Sequence, residues 1–178
     1  MAPITLSIRE ATPKDAPAIV ALVRSAYRGE SSRSGWTTEA DLVDDERIDV
    51  VGVLKKIDEP LGIILLIQDQ SGTLIACCEL LRRDDVLGYF GLFAVDPTRQ
   101  AGGIGRFVLS EAETYAKKVW GLNQLEMTVI WTREELIAWY IRRGYIKLEE
   151  TRPFPYTQLM GAATPDRIQD TSKIRSTA

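Results

Sequence analysis

One stretch has the composition of an anion cradle: Val95-Asp96-Pro97-Thr98-Arg99-Gln100-Ala101-Gly102-Gly103-Ile104-Gly105-Arg106. Gly102, Gly103 and Gly105 have no Cβ, so an anion can approach their backbone closely, and Arg99 and Arg106 add full charge. Downstream, Ile104, Phe107, Val108, Ala112, Tyr115, Ala116 and Val119 recur at helical spacing. Arg106, Ser110, Glu113 and Lys117 fall on the opposite face. The first N–H groups of a helix lack internal partners and carry the positive end of its dipole. Upstream, Tyr89 to Val95 reads as a buried strand, broken by Asp96-Pro97 because proline has no N–H for a sheet ladder. Strand, glycine-rich turn and helix in that order suit a phosphate or pyrophosphate. A P-loop would need Gly-Lys-Ser/Thr, but Arg106-Phe107 follows Gly105. A dinucleotide fingerprint would need Gly or Ala where Val108 stands.

Other chemistries are excluded by composition. The chain has no histidine, so no Ser–His or Cys–His nucleophilic pair and no histidine-built zinc site can exist. Proton transfer is left to carboxylates, tyrosine, lysine, water or a thiol. Cys77 and Cys78 are adjacent in a strand-like run, which predicts buried reduced thiols rather than a disulfide framework. No metal is expected. A net charge of −3 provides no electrostatic footprint for nucleic acid. The longest apolar run, Leu61 to Ile67, is far too short for a bilayer, and the first residues show no signal-peptide pattern, so a cytoplasmic location is the expectation.

The elements that must position this stretch follow from periodicity. Thr5 to Glu10 alternates as a strand. Thr12-Pro13-Lys14-Asp15 then opens a helix with an apolar face of Ile19, Val20, Val23, Ala26 and Tyr27, ending near Gly29. Residues 30–39 are polar, with short helices predicted at Glu39 to Asp44 and Val50 to Asp58. Leu61 to Ile67 and Leu74 to Leu81 form a hairpin through Gln68-Asp69-Gln70-Ser71-Gly72-Thr73. After the long helix, Gln124 to Ile130 reads as a strand. Thr132 and Glu135 form a capping box for a helix with the stripe Leu136, Ile137, Tyr140 and Ile141, closed by Gly144. Tyr145 to Thr151 is a further strand. Asp170 to Ala178 is expected to fray, although residues 167–174 could add an edge strand. The layout is α+β, a mixed and mostly antiparallel sheet of six to seven strands flanked by about four helices. Residues 4–160 form a single domain and 161–178 a tail.

Gln100, Gly103 and Gly105 satisfy the pattern Gln/Arg-x-x-Gly-x-Gly/Ala, which resembles the acyl-CoA pyrophosphate loop of the GNAT N-acetyltransferase family. Ala138-Trp139-Tyr140-Ile141-Arg142-Arg143-Gly144-Tyr145 resembles the second signature of that family, one long helix and one strand further on. The likeness runs from Ile4 to Tyr156, and several segments resemble an uncharacterised subgroup.

The resemblance implies an acetyl-CoA-dependent transferase that acetylates an amine of a small molecule or peptide by direct attack. The central strand and Gln124 to Ile130 should splay around the pantetheine arm. Phe93, Ala94, Val95, Gln100, Ala101, Gly102, Gly103, Ile104, Gly105 and Arg106 would bind the cofactor. Arg133 stands where relatives often carry asparagine, and it would approach a CoA phosphate or face solvent. Tyr140 would be the acid for the leaving thiolate, Glu79 and Glu126 the carboxylates that take the amine proton through water, and a backbone N–H near Leu92 to Ala94 the oxyanion donor. Arg33, Trp36, Glu39, Arg152 and Tyr156 would build the acceptor pocket, the arginines hinting at a carboxylate on the acceptor. Relatives are frequently homodimers. Two other readings stay open at this point: a non-catalytic acyl-CoA-binding regulatory domain, and an interaction domain with a degenerate loop.

Overall fold

The computed structural model describes residues 5–27, 48–130, 133–153 and 170–176. In chain order the elements are β1 (Ser7–Glu10), a 3-10 turn (Pro13–Asp15), α1 (Ala16–Tyr27), α2 (Val50–Ile57), β2 (Gly62–Gln68), β3 (Leu74–Arg82) and β4 (Leu87–Val95). A second 3-10 turn (Gln100–Gly102), α3 (Ile104–Trp120), β5 (Gln124–Ile130), α4 (Glu134–Ile141), β6 (Tyr145–Pro153) and β7 (Asp170–Ser176) complete the fold. The strands form one sheet in the order β1-β2-β3-β4-β5-β7-β6. All neighbours are antiparallel except β4 and β5.

The near-continuous apolar runs of β2 and β3 follow from burial on both faces. Ile64, Leu66 and Cys77 pack with Ile19, Val23, Ala26 and Tyr27 of α1 and Val53 of α2. Leu65, Ile67, Cys78 and Leu80 pack with Ile104, Val108, Leu109 and Ala112 of α3 and with Leu136, Ile137 and Tyr140 of α4. Cys77 and Cys78 are free and fully buried, and burial pushes the Cys78 thiol pKa well up.

The entry to α1 is a charge-assisted cap. Asp15 Oδ2 accepts from the Thr12 N–H at 2.7 Å and its hydroxyl at 2.9 Å, and Arg9 grips both carboxylate oxygens at 2.9 and 2.7 Å. The hydrogen bonds from Arg9, with those from Thr12, hold this carboxyl well below the usual range. A depressed pKa contributes stability above the unfolded value of about 3.9 and loses it as pH falls through the folded value. Asp15→Ala should therefore cost about 1 kcal/mol near neutral pH. Its gap to wild type should narrow progressively below about pH 4 in urea titrations. An unchanged gap in acid would mean that the cap works without its charge.

Three expectations are corrected. β7 is neither frayed nor at an edge: it lies between β5 and β6, pairing Met127 with Ile174 on one side and Lys147 with Ile174 on the other. Ile174 is fully buried, and Ser172 and Lys173 are nearly so, so a weakly patterned segment is held by two ladders and burial. On α3, Val119 is 60% exposed while Leu109, absent from the predicted stripe, is buried. Ile141 at the end of α4 is likewise exposed. The helix at Val50 forms nearly as predicted, ending at Ile57. The stop at Gly29, the helix at Glu39 to Asp44 and Thr132 lie outside the described residues. α4 itself starts at Glu134, with Arg133 in the N-cap position.

Candidate active site

β4 and β5 run parallel but pair only at Leu87–Gln124, Gly88–Leu125 and Tyr89–Glu126. Beyond these pairs β4 continues to Val95 and β5 to Ile130, so the two strands part and leave a cleft. On its other side β4 still pairs with β3, through Ala76–Val95 and Cys77–Ala94. The Asp96 N–H donates to the Ile75 carbonyl at 2.8 Å, which brackets Ala76–Val95 as a non-hydrogen-bonded pair. The N–H and C=O of Val95 therefore point away from β3, toward the cleft, as do those of Phe93 two residues earlier. Gln100 Nε2 donates to the Val95 carbonyl at 3.3 Å, and the Tyr27 hydroxyl donates to the Phe93 carbonyl.

Between them the strand carries a defect. Leu92 has φ +42°, the one positive-φ non-glycine among the described residues. The β3–β4 register shifts opposite it, between Cys77 and Glu79. Such a bulge bends a strand and re-aims its backbone groups, and its strain persists only where surrounding contacts hold it. The bonds from Cys77 Sγ to the Leu92 carbonyl (3.5 Å) and from Tyr27 to Phe93 are two of those contacts.

β4 leads into the glycine turn. Gly103 occupies the N-cap of α3 at φ +75°, and no side chain caps the helix. A Cβ built at Gly103 would meet nothing within 4 Å, so the space before these amides is open. At Gly105 a Cβ would lie 3.4 Å from the Phe93 ring and 3.7 Å from Trp139, already filling the gap. Arg106 sits in the first turn of α3, where the dipole disfavours a cation. That placement becomes favourable once an anion rests on the amides.

These groups enclose a cavity of about 210 Å³. Tyr27, Phe93, Val95 and Gln100 form one side, Gly103, Gly105 and Arg106 the helix end, and Trp139 and Arg143 the wall from α4. Arg143 lies 3.6 Å over the Trp139 ring and donates to the Trp139 carbonyl at 2.7 Å. Uncapped amides, a Cβ-free approach and arginine charge fit a diphosphate, and the parted strands fit a narrow arm bearing amide groups.

The Acetyltransferase (GNAT) family model matches residues 18–145. The chain belongs to that family. This GNAT protein is an N-acetyltransferase, with acetyl-CoA as its co-substrate. Its fold is shared with spermidine N-acetyltransferase SpeG of Vibrio cholerae. The structure of that enzyme in complex with CoA and spermine superposes with a TM-score of 0.68 at 16% identity, covering 96% of this chain and 94% of the other. A chimera of SpeG and hSSAT gives 0.69 at 16% identity over 96% and 94%. SpeG in complex with manganese ions gives 0.66 at 17% over 96% and 91%. No curated protein matches the sequence. Among the described residues of the GNAT chain, no helix is long and apolar enough to cross a membrane.

Of the residues expected in the cofactor site of this acetyltransferase, Phe93, Val95, Gln100, Gly103, Gly105 and Arg106 converge on the cavity. Ala94 does not: its side chain is buried in the core with α1. Ile104, the first residue of α3, is likewise buried in the core and can offer only its backbone. Ala101 and Gly102 belong to the 3-10 turn before Gly103. Arg99 is tied to Asp69 at 3.2 Å. Arg133 holds the N-cap of α4, its carbonyl accepting from Ile137 at 3.0 Å, and is not part of the cavity wall.

Glu79 and Glu126 flank β4 just before the bulge, registered against Gly91 and Tyr89 respectively. Each is nearly buried and already engaged by cations. Lys56 Nζ reaches both oxygens of Glu79 at 2.9 and 2.8 Å, while Arg175 and Lys173 stand 3.0 and 3.7 Å from Glu126. Neither lines the cavity. Tyr140 is 3% exposed and also not in the wall; its ring stands edge-on to Trp139 and Tyr145, at 4.9 and 5.7 Å. The Tyr145 hydroxyl donates to Glu113 at 2.8 Å, and burial, reinforced by Glu113, pushes its pKa far up. Arg33, Trp36, Glu39 and Tyr156 lie outside the described residues. Arg152 belongs to β6, registered against Thr171.

Sequence reasoning missed Tyr27, Trp139 and Arg143 as cavity residues. Tyr27 reads as one more apolar position of α1, and only its depth under β4 places its hydroxyl on Phe93. The signal for the other two was their place in the second signature, one residue before and three after Tyr140.

Proposed function

We propose that the enzyme carries an acetyl group from acetyl-CoA directly to a primary amine of a small molecule or peptide. The observation that supports this is the parting of β4 and β5 at Tyr89–Glu126, directly before the Leu92 bulge and the uncapped start of α3. The amides from Gln100 to Arg106 hold the diphosphate, and the inward N–H and C=O groups of Phe93 and Val95 orient the arm that delivers the thioester. A backbone N–H at the bulge faces the thioester oxygen as charge develops there. An alkylamine has a pKa of about 10, so it must lose a proton to attack. Glu79 and Glu126 lie on the α1 side of the sheet and receive that proton through water. As the carbon–nitrogen bond forms, the carbon–sulfur bond breaks, and Tyr140 donates its proton to the departing sulfur.

Arg33, Trp36, Glu39, Arg152 and Tyr156 are proposed to shape the acceptor end. The neighbours named for spermidine and spermine acetylation make polyamines the first amines to try, beside amines that bear a carboxylate. The reading includes a cytoplasmic setting, consistent with two buried free thiols, and a homodimer, which light scattering would detect.

Thermal melts with acetyl-CoA, CoA and ATP, followed by an amine panel, test the reading. Acetyl-CoA at a hundred times its Kd should stabilise by about 2.7 kcal/mol, and ATP should do far less. Released CoA is read with a thiol reagent, to which the buried cysteines do not contribute while the protein is folded. A shift with no turnover on any amine would leave a non-catalytic binder, and no shift at all would leave a degenerate loop.

A further inference from the structure

Lys56 is an amine held beside the place where β4 and β5 part. It lies in the last turn of α2, a helix anchored on the sheet by the fully buried Val53 and by Leu54 and Ile57. Its Nζ donates to Glu79 Oε1 at 2.9 Å and to Oε2 at 2.8 Å. Glu79 is registered against Gly91 of β4, and a Cβ built on Gly91 would lie 3.1 Å from its Oε2. The carboxylate therefore lies against β4 one residue before the Leu92 bulge, and the ammonium stands one hydrogen bond further on. Tyr27 of α1 lines the diphosphate cavity, so that cavity reaches the side of the sheet that carries α1 and α2. The Lys56 side chain is 36% exposed, which leaves its four-carbon stem room to swing from the ion pair into the cleft. Lys55, its neighbour on the same helix, is exposed. Lys173 stands further off, on β7 with β5 between it and β4, and Glu150 holds its Nζ at 2.8 Å.

We propose that Lys56 is a site of self-modification: with acetyl-CoA bound and no other amine present, the enzyme transfers the acetyl group to its own Lys56 Nζ. The inference rests on the acetyl-CoA reading of the cleft. With the diphosphate on the α3 amides, the arm follows the inward groups of Val95 and Phe93 back along β4. That course brings the thioester to the step between Gly91 and Leu92, beside Glu79 and its lysine. Glu79 takes one proton from the ammonium, and the neutral nitrogen attacks the thioester carbon. The carbon–nitrogen bond forms as the carbon–sulfur bond breaks. The second nitrogen proton replaces the one that Tyr140 gives to the sulfur. The products are an amide at Lys56, the CoA thiol and one proton that leaves through Glu79. An amine already held beside the thioester needs no encounter with a second molecule, which favours it over a dissolved one. The amide carries no charge, so the modification also takes from Glu79 the cation that occupies it. An incoming acceptor amine then meets a carboxylate without its lysine.

The full chain is mapped by peptide mass spectrometry, as isolated and after incubation with acetyl-CoA alone. Acetylation is expected at Lys56 and not at Lys55 or Lys173, at a rate per molecule that does not change with protein concentration. Acetyl already on Lys56 in the isolated protein counts as the same result when Gly103→Asp, isolated in parallel with a carboxylate where the diphosphate rests, lacks it. Lys56→Arg keeps a cation on Glu79 but offers no nucleophile, and should take up no acetyl group. Glu79→Gln should slow the modification about a hundredfold, the lower end of general-base catalysis. Melting temperatures verify that the variants fold. Modification of Lys55 or Lys173 to the same extent, or modification undiminished in Gly103→Asp or in Glu79→Gln, would overturn the inference in favour of uncatalysed chemical acetylation. A rate that rises in proportion to protein concentration would also overturn it, because the transfer would then run between molecules. So would an unmodified Lys56 in protein that calorimetry shows to bind acetyl-CoA, and in that case the acetyl-CoA reading stands. If acetyl-CoA does not bind, that reading fails and takes this inference with it.

Discussion

Gly103→Asp should abolish useful affinity for acetyl-CoA, a loss of at least a hundredfold, or about 2.7 kcal/mol. The substitution puts a carboxylate into the space before the first amides of α3, where a Cβ meets nothing within 4 Å. Crowding is therefore not what removes the ligand. The added charge neutralises Arg106 locally, takes up the helix N–H groups as a capping acceptor, and repels the diphosphate. The backbone at φ +75° costs an aspartate about 1 kcal/mol, so the protein should still fold. Gly103→Asn separates the effects, because asparagine tolerates the same backbone and has nearly the same shape without the charge. Its affinity loss should be roughly a tenth as large in fold terms. If calorimetry returns wild-type affinity for Gly103→Asp, the glycine turn does not bind the diphosphate.

Tyr140→Phe should lower kcat by about a hundredfold and leave KM nearly unchanged, because general acids contribute in that range and act in the transition state alone. A CoA thiolate, with a thiol pKa of about 8.5, leaves tolerably without help, which keeps the effect at the low end. The ring contacts with Trp139 and Tyr145 survive in phenylalanine, so stability should fall by no more than about 1 kcal/mol, the worth of the hydroxyl's own bonds. Tyr140 is nearly buried beside the cavity wall rather than in it, so the cofactor must reach past Trp139 to meet its hydroxyl. Wild-type turnover with only a lowered melting temperature would make Tyr140 a packing residue.

The two glutamates show how a strand position can be legible and its chemistry not. Both were placed correctly on strands beside β4, and the structure adds the partners that decide their behaviour. Lys56 comes from α2 and Lys173 and Arg175 from β7, far away in sequence. No periodicity in β3 or β5 announces them. A carboxylate held by lysine or arginine can take a proton only through a water that competes with that ion pair, so the base role proposed for the two glutamates requires the Lys56 and Arg175 contacts to loosen. The same distance in sequence hid Tyr27 and the place of β7 inside the sheet, between β5 and β6.

What could be read in residue order was local: the strand ended by Asp96-Pro97, the uncapped glycine start of α3, the hairpin at Gly72, the absence of histidine, and the two family signatures. Each depends on backbone freedom or side-chain type within a few positions, and these interactions act between neighbours whatever the rest of the chain does. Tertiary structure alone decided how far β4 and β5 pair, where β4 bulges, that β7 enters the sheet between β5 and β6, and that Arg106 and Arg143 line one cavity. Those outcomes come from register, burial and charge between elements that meet only after folding, and their energies are spread over residues too distant in the chain to leave a local pattern.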